Sequence, residues 1–417
     1  MATKDLSGIP RTRVPDASLS LLRDGYVFIS STCDRLQTDV FRTRLMLKRA
    51  FCVRGAGAAE LFYGSGLFSR KDAMPPTVVH LLQDYGSVQM LDGHAHAERK
   101  RLFLALLEAD GIRDFTATLA EVWEARAARI AAGERIELYT ELNRMLTEAA
   151  LRWLGLPATQ NQVRLRSQEL SAMVDHAGTT GPHNAWARMI RRRSERWAAQ
   201  VIALIRSGDL TPRPGRPADL IARHTEEGRP LSTEVAAVEL LNVVRPIVAN
   251  ARFVVFAALA LWQHPQWRQE FARGDLSRLE PFVQEVRRFY PFFPLIGGRS
   301  VRPFTWRGYA FPEQSWVLLD LYGTNHDPRS WSEPGSFRPE RFVDREPTAY
   351  DLVPQGGGPY ETGHRCPGER LTIATVETMV RLLSLADYTV PAQDLTYTMR
   401  AMPALPRSGL IVSGGSR

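Results

Sequence analysis

The sequence predicts a mainly α-helical protein with small β-sheets, an α+β fold, in which residues 1–417 form a single domain. Three observations lead to this prediction. Apolar residues recur with a helical period through most of residues 95–262. Segments with the alternation of β-strands are short and lie towards the two ends of the chain. The one polar interruption rich in Gly and Pro, residues 207–217, has the length of a surface loop, so we do not divide the chain there.

The N-terminal region is predicted to contain the first short strands. Residues 27–29 and 48–53 are predicted as strands, and residues 56–63 as a short amphipathic helix. Together these elements predict a small β-rich opening that precedes the helical part of the chain.

The middle of the chain is predicted to be almost entirely helical. Apolar stripes predict four long amphipathic helices, at residues 115–132, 139–154, 185–207 and 233–262. The last of these is the longest and the most apolar, so we expect it to lie at the centre of the core. Its longest apolar run, residues 253–262, is much shorter than the roughly 20 residues that span a bilayer.

The C-terminal region returns to mixed structure. A helix is predicted at residues 275–290, a hairpin around Arg307-Gly308 within residues 300–311, and a strand at residues 316–320. A long loop then leads to Cys366, and residues 368–385 show a helical period again. Prolines in the remaining tail predict turns and short strands.

Composition excludes several classes of protein. With 44% hydrophobic and 24% charged residues the chain is neither fibrous nor disordered. The net charge of +8 is spread along the chain and forms no basic arm, which disfavours nucleic acid and favours a small anionic ligand. The three cysteines have no metal-binding spacing, and residues 1–5 begin no apolar leader or membrane anchor. We therefore expect a soluble, cytoplasmic protein.

The most unusual segment is residues 355–369, in which five glycines and Cys366 precede a predicted helix. A helix N-terminus, backbone N–H groups and the neighbouring Arg365 would all favour a thiolate, which is a metal ligand. By itself the segment is equally consistent with a glycine-rich turn around a buried free cysteine, or with a phosphate cradle.

Two further motifs accompany this loop. Glu285 and Arg288 are i,i+3 neighbours on the preceding helix, and Arg341 lies in the segment Phe-Arg-Pro-Glu-Arg-Phe at residues 337–342. Together with the cysteine loop they resemble the cytochrome P450 superfamily. The resemblance implies a fold with a long central helix over a haem, a structural ion-pair group at Glu285, Arg288 and Arg341, and haem b with Cys366 as the axial thiolate and metal ligand.

The cysteine loop departs from the usual pattern of that superfamily. The positions seven, four and two residues ahead of Cys366 hold Pro359, Thr362 and His364, where Phe, Gly and Arg or His are usual. The form Gln-Gly-Gly-Gly, a short insertion and Gly-His-Arg-Cys-Pro-Gly-Glu resembles the bacterial fatty-acid peroxygenases. This resemblance implies a fatty acid and hydrogen peroxide as substrates, with no obligatory redox partner.

The long helix supports this resemblance independently. Residues 235–262 contain no threonine and one acid, Glu239, whereas most members of the superfamily carry an acid and a threonine in mid-helix. In their place stands Arg245-Pro246, and Pro246 should kink the helix and leave the carbonyl of Asn242 free. A buried guanidinium requires a partner. The resemblance implies that Arg245 binds the substrate carboxylate, while an ion pair with Glu239 and a snorkelling surface arginine are the alternatives.

A clamped carboxylate suits peroxide chemistry. It could take a proton from the peroxide and return it to the distal oxygen, so that the substrate itself acts as general acid-base. Binding of the carboxylate by Arg245 would also place the α and β carbons nearest the reacting centre, and it is these positions that we expect to be hydroxylated.

Three basic residues are predicted to contact the haem, and two of them, His96 and Lys100, to bind its propionates. His96 and Lys100 lie four residues apart on one helix face, and Arg70 matches a haem-contacting position of the family. His94 and His96 as metal ligands are the alternative, which the i,i+2 spacing on a helix disfavours.

Two residues are predicted to shape the pocket. Gln89 matches a distal polar position at which alkene-forming members of the subfamily tend to carry His and hydroxylating members Gln. Phe292 matches a pocket residue over the haem, although two aromatics between prolines could equally be core. The open alternatives are a fatty-acid decarboxylase, a reductase-dependent monooxygenase, and a haem sensor, carrier or nucleic-acid binder, for which we find no motif.

Overall fold

The fold is known from a computed structural model, which describes residues 8–415. The N-terminal residues 1–5, which we inspected for a leader, lie outside this range. Most of the described chain is helical. The α-helices are α1 (Ser18–Asp24), α2 (Phe28–Leu36), α3 (Ala56–Gly64), α4 (Pro76–Leu82), α5 (Gly93–Leu106), α6 (Ala109–Ala131), α7 (Leu138–Leu154), α8 (Gln160–Asp175), α9 (Pro182–Ser207), α10 (Pro217–Arg223), α11 (Thr233–Ala249), α12 (Ala251–Gln263), α13 (Pro265–Ala272), α14 (Leu279–Phe289), α15 (Leu321–Asn325) and α16 (Glu369–Leu385).

The strands form one five-stranded sheet and three two-stranded pairs within residues 8–415. They are β1 (Val40–Leu45), β2 (Lys48–Val53), β3 (Phe68–Ser69), β4 (Ile136–Glu137), β5 (Thr225–Glu226), β6 (Arg229–Pro230), β7 (Leu295–Ser300), β8 (Phe304–Trp306), β9 (Tyr309–Phe311), β10 (Trp316–Asp320) and β11 (Ile411–Val412). The larger sheet has the order β1-β2-β10-β7-β3, and only β2 and β10 run parallel, with Phe51 opposite Val317.

The architecture confirms the predicted mainly α fold with small sheets. Helices α6, α7 and α9 match three of the four predicted long helices, and α11 with α12 matches the fourth. The predicted hairpin is β8–β9, and residues 207–217 connect α9 to α10 as the predicted loop.

The predicted strand at residues 27–29 is wrong. This segment lies at the junction of a 3-10 turn, Gly25–Val27, and helix α2. The buried residues of α2 are Phe28, Ile29, Thr32 and Cys33, which is a helical spacing. Three consecutive apolar residues cannot distinguish a strand from the start of a helix, and only the following turn reveals the period.

The long helix lies at the centre of the core, where it packs against α7, α8 and α9. By length and hydropathy Thr233–Gln263 could cross a membrane, but 94% of its most apolar window is buried inside the protein, as in a core helix. Pro246 lies within α11, and the helix divides one turn later, at Asn250, not at the proline. There the Asn250 N–H bonds to the Ile247 carbonyl, a tighter turn than that of an α-helix.

Candidate active site

One cavity brings together the eight residues that the sequence predicts to bind the substrate or the haem or to act in catalysis. It lies between α11, α5, the 3-10 turn Val88–Met90 and the loop that contains Cys366. Its walls are otherwise mostly apolar. The predicted residues that line it are Arg70, Gln89, His96, Lys100, Arg245, Pro246, Phe292 and Cys366. Residues from widely separated parts of the chain therefore meet at one site.

Cys366 lies just ahead of α16, where its backbone N–H donates to the Gln355 carbonyl at 3.1 Å. The side-chain amide of Gln355 lies 3.9 Å from the sulfur. Burial raises the pKa of the Cys366 thiol, and the Gly368 N–H opposes that shift. The expected help from Arg365 is not observed, because this guanidinium pairs with Glu369. A metal ion bound to the sulfur would favour the thiolate over the buried thiol.

The glycines of this loop permit close approach between chain segments. Gly356 has φ of 89°, and a Cβ there would lie 3.2 Å from the Tyr63 hydroxyl and 3.3 Å from the His364 carbonyl oxygen. At Gly368 a Cβ would lie 3.7 Å from the Cys366 sulfur, an ordinary van der Waals distance. A side chain at Gly356 would therefore be strained by its positive φ and would crowd both neighbours.

A group of buried ion pairs supports the loop from below. Arg288 Nε lies 2.7 Å from Glu285 Oε2, and Arg341 Nε lies 3.1 Å from the same oxygen. Arg288 also donates to three backbone carbonyls, those of Asn325 and Pro334 at 3.0 Å and that of Ser336 at 3.3 Å. These contacts tie α14 to the chain segment that precedes the cysteine loop.

Three buried cations on the cavity wall differ from the other buried cations. Among residues 8–415, Arg70, Lys100 and Arg245 have no carboxylate oxygen within the 4.0 Å of an ion pair. The other buried arginines are paired: Arg99 with Glu226 and Glu239, Arg191 with Glu195, Arg252 with Asp175, Arg287 with Glu369 and Arg288 with Glu285. An unpaired buried charge is costly, so these three cations are candidate anion-binding groups.

Arg245 is 4% exposed and projects from the middle of α11 into the cavity. Its guanidinium donates to the Asn242 side-chain oxygen at 3.1 Å and to the Leu82 carbonyl. Burial, reinforced by the nearby Arg191, lowers the pKa of Arg245 to about 9, so the group remains a cation at neutral pH. Both alternatives are thus absent here: the side chain is not at the surface, and Glu239 is not its partner.

Arg70 and Lys100 line the same cavity as Arg245 and lie near the cysteine loop. Arg70 donates to the Gly297 carbonyl at 3.0 Å, and its guanidinium lies over the rings of Phe62 and Tyr63. Lys100 donates to the Arg365 carbonyl at 2.8 Å. Burial lowers the pKa of Lys100 to about 8, which leaves it mostly protonated at neutral pH. Both cations can therefore bind an anionic group.

His96 is a neutral hydrogen-bonding group here and adds no further positive charge to those of Arg70 and Lys100. Burial, with the nearby His364 and Lys100, lowers the pKa of His96 to about 3. Its ring centroid lies 4.0 Å from that of His364. His364 in turn lies 3.5 Å from Asp92, which also accepts from the Arg70 backbone N–H. His94 is exposed and lies apart from this cluster, so the alternative metal site at His94 and His96 is not formed.

Gln89 and Phe292 complete the predicted set. Gln89 belongs to the 3-10 turn, and its side-chain oxygen accepts from the Asn242 amide at 3.2 Å. Phe292 stacks on Phe253 of α12, with 4.1 Å between ring centroids. The sequence assigned no role to Asn242, although its place three residues before Arg245 on one helix was a usable signal.

Comparison with known proteins agrees with this geometry. The cytochrome P450 family model matches residues 264–392. The structure of cytochrome P450EX alpha with myristic acid superposes with a TM-score of 0.93 at 39% identity, covering 97% of this chain and 98% of that one. Cytochrome P450SP alpha in complex with (R)-ibuprophen gives 0.92 at 41% identity, with 96% and 98% covered.

A third solved structure and a plant relative have lower sequence identity to this chain. A variant of cytochrome P450 OleT with arachidonic acid gives a TM-score of 0.93 at 30% identity, with 97% of each chain covered. The sarpagan bridge enzyme of Gelsemium sempervirens is 32% identical over 128 residues, 28% of this chain. That match spans about a quarter of the plant enzyme's length.

The chain belongs to the cytochrome P450 family. Within that family, the P450EX alpha and P450SP alpha structures that it matches over nearly its whole length are both CYP152 proteins.

The family implies a haem whose iron is bound by a thiolate. The residues of the cavity fit this group, because a cysteine sulfur and two unpaired cations, Arg70 and Lys100, line the same space. Cys366 would hold the iron, and the two cations, with His96 as a neutral hydrogen-bonding group, would hold the propionates.

Proposed function

We propose that residues 1–417 form one haem-thiolate domain that uses hydrogen peroxide to hydroxylate a fatty acid at the α or β carbon. The observation that carries this proposal is Arg245, a buried cation without a carboxylate partner among residues 8–415, on the same cavity as Cys366. A substrate carboxylate supplies the missing partner with a charge-assisted, bidentate contact.

The proposed reaction balances without an external reductant. One C–H bond of the fatty acid becomes C–OH, and hydrogen peroxide is reduced to water. When bound, a haem with a thiolate ligand supplies the redox chemistry that cleaves the O–O bond. The polypeptide supplies binding, orientation and control of the proton.

Arg245 holds the carboxylate and thereby places a proton carrier in the cavity. The bound carboxylate can accept a proton from the peroxide and return it to the oxygen that leaves as water. Gln89 is a further polar group on the same wall. Pro246 donates no backbone hydrogen bond in the helix that presents Arg245.

Regiochemistry follows from this anchor. A chain fixed at its carboxyl end has its second and third carbons nearest to the anchoring cation. Phe292 lines the cavity and is backed by the buried ring of Phe253, so it provides an apolar surface against which the alkyl chain can pack. We therefore propose hydroxylation near the carboxylate, with Phe292 as a substrate-contacting residue.

The relatives support a carboxylate substrate. Myristic acid, arachidonic acid and (R)-ibuprophen are the molecules named with the three solved structures, and all three are carboxylic acids. We extend this class of ligand to the present chain, as a soluble, cytoplasmic enzyme without an obligatory redox partner.

Product analysis tests the proposal directly. Haem-loaded protein is mixed with myristic acid and hydrogen peroxide in the absence of any reductase, and the products are identified by mass spectrometry. We expect 2-hydroxy or 3-hydroxy myristic acid. An alkene one carbon shorter would instead establish a decarboxylase. Turnover that requires NAD(P)H and an electron-transfer protein would establish a reductase-dependent monooxygenase and refute the peroxide proposal.

A further inference from the structure

Glu239 is a buried acid that the proposed reaction does not use. It is fully buried and is the only acid among residues 235–262 of the long helix. Burial in the core raises the pKa of its carboxyl group, against the stabilising effect of Asn242 and Arg99. An acid in such a place is expensive to keep, so its hydrogen bonds deserve a functional explanation.

Each oxygen of Glu239 holds a different part of the cavity wall. Oε1 accepts from the Val88 N–H at 2.8 Å and from Arg99 Nη1 at 2.7 Å. Oε2 accepts from the Asn242 side-chain amide at 2.9 Å. One carboxylate thus connects α11 with the 3-10 turn that carries Gln89, and with α5.

Asn242 passes this constraint on to Arg245. Arg245 can only donate, so the Asn242 atom 3.1 Å from it must be the amide oxygen. The amide nitrogen then faces Glu239 and also the Gln89 oxygen, at 3.2 Å. Since a carboxylate accepts and a guanidinium donates, the two groups hold the Asn242 amide in one orientation from opposite sides.

We propose that Glu239 is a positioning residue that orients Arg245 and Gln89, through Asn242 and Val88, for recognition of the substrate carboxylate. This inference rests on the proposed function and deepens it. It assigns carboxylate selectivity to a connected group of side chains, of which only Arg245 and Gln89 were evident from the sequence.

The substitution Glu239→Gln isolates this role. A glutamine whose oxygen keeps the bonds from Arg99 and Val88 presents its amide nitrogen to the amide nitrogen of Asn242, and two donors cannot bond. Arg99 remains paired with Glu226, whose Oε2 lies 2.7 Å from Arg99 Nη2, so the buried arginine is not left alone. Glu234→Gln, at an exposed site in the first turn of α11, is the matched control with the same change in charge.

The readout is selectivity between two ligands of equal chain length, myristic acid and 1-tetradecanol, titrated by the haem absorbance change. The dissociation constant of the alcohol divided by that of the acid measures carboxylate recognition separately from packing of the chain. We expect Glu239→Gln to reduce this ratio about tenfold, the order of one hydrogen bond to a charged group, and Glu234→Gln to leave it unchanged. An unchanged ratio in a folded Glu239→Gln protein overturns the inference.

A second variant keeps the test decisive if Glu239→Gln does not fold. Asn242→Ala removes the connection while Glu239 and Arg245 stay in place, and we expect the same loss of selectivity. The double variant should be no worse than the worse single one, because both changes break one pathway. Full selectivity in Asn242→Ala overturns the inference. A wild-type protein that does not prefer the acid to the alcohol refutes the proposed function itself.

Discussion

Two groups of buried arginines in this protein have opposite surroundings. Below the cysteine loop, Arg288 is surrounded by acceptors, namely Glu285 and three backbone carbonyls. Above it, Arg245 is equally buried but has only the neutral oxygens of Asn242 and Leu82. The first guanidinium is satisfied within the polypeptide, and the second is not.

The difference separates residues that maintain the fold from residues that bind ligands. Removal of one partner from a buried ion pair leaves an uncompensated charge, so a satisfied arginine is required for stability. A buried cation without an anion already bears the cost of desolvation, and its removal should cost little stability but much binding. Burial alone therefore does not identify function, whereas burial without a counter-charge does.

The largest expected effect is at Arg288, the arginine whose partners all lie within the polypeptide. Arg288→Met should lower the free energy of unfolding by about 3–5 kcal/mol, because it leaves the fully buried Glu285 with a weaker counter-charge. Urea denaturation measures this change. The control is Arg338→Met, an exposed arginine paired with the exposed Glu333, for which the expected loss is below about 1 kcal/mol. Equal losses in the two variants would contradict the comparison.

Arg245 is the arginine without an anionic partner. Arg245→Met should weaken binding of myristic acid roughly 10–100-fold, because a charge-assisted contact is lost. Its free energy of unfolding should change by less than about 1 kcal/mol, because no ion pair is broken. Arg252→Met is the matched control, since Arg252 is buried on the same long helix but paired with Asp175. This control should be clearly destabilised, and the reverse order of stabilities would disprove our distinction.

Lys100 tests whether the same rule applies to the haem. Lys100→Met should accelerate transfer of haem to a scavenger protein by about tenfold, the order expected for loss of one hydrogen bond to a charged group. Arg101→Met, at the exposed neighbouring position, should leave the rate unchanged. A haem-release rate that is the same in both variants would remove Lys100 from the propionate site.

The smallest expected effect is at a polar but uncharged position. Gln89→His should shift products from hydroxy acid towards the alkene one carbon shorter, while the free energy of unfolding changes by about 0.5 kcal/mol or less. Gas chromatography of the products from myristic acid measures the ratio. If the ratio does not move, Gln89 does not control the outcome of the reaction.

Local patterns in the sequence predicted most of the helices, and the resemblance to a known family supplied the candidate site residues that the structure places around one cavity. The long helix shows its period over many turns, and the spacing of Glu285 and Arg288 defines a pair on one helix face. Residues 27–29 failed because three apolar residues do not define a period. The expected role of Arg365 failed for another reason: its partner, Glu369, is the first residue of the following helix, and competition between this carboxylate and the thiolate cannot be read from spacing alone.

The sequence by itself determined the helical class of the fold through local periodicity, and its motifs and family resemblance singled out eight candidate site residues that line one cavity. Only the tertiary structure decided which buried cations have partners. Arg99 and Glu239 are far apart in the chain, yet they pair, while Glu239 and Arg245 share one helix and do not. Pairing depends on three-dimensional distance and on the direction of each side chain, and neither is encoded in a local pattern.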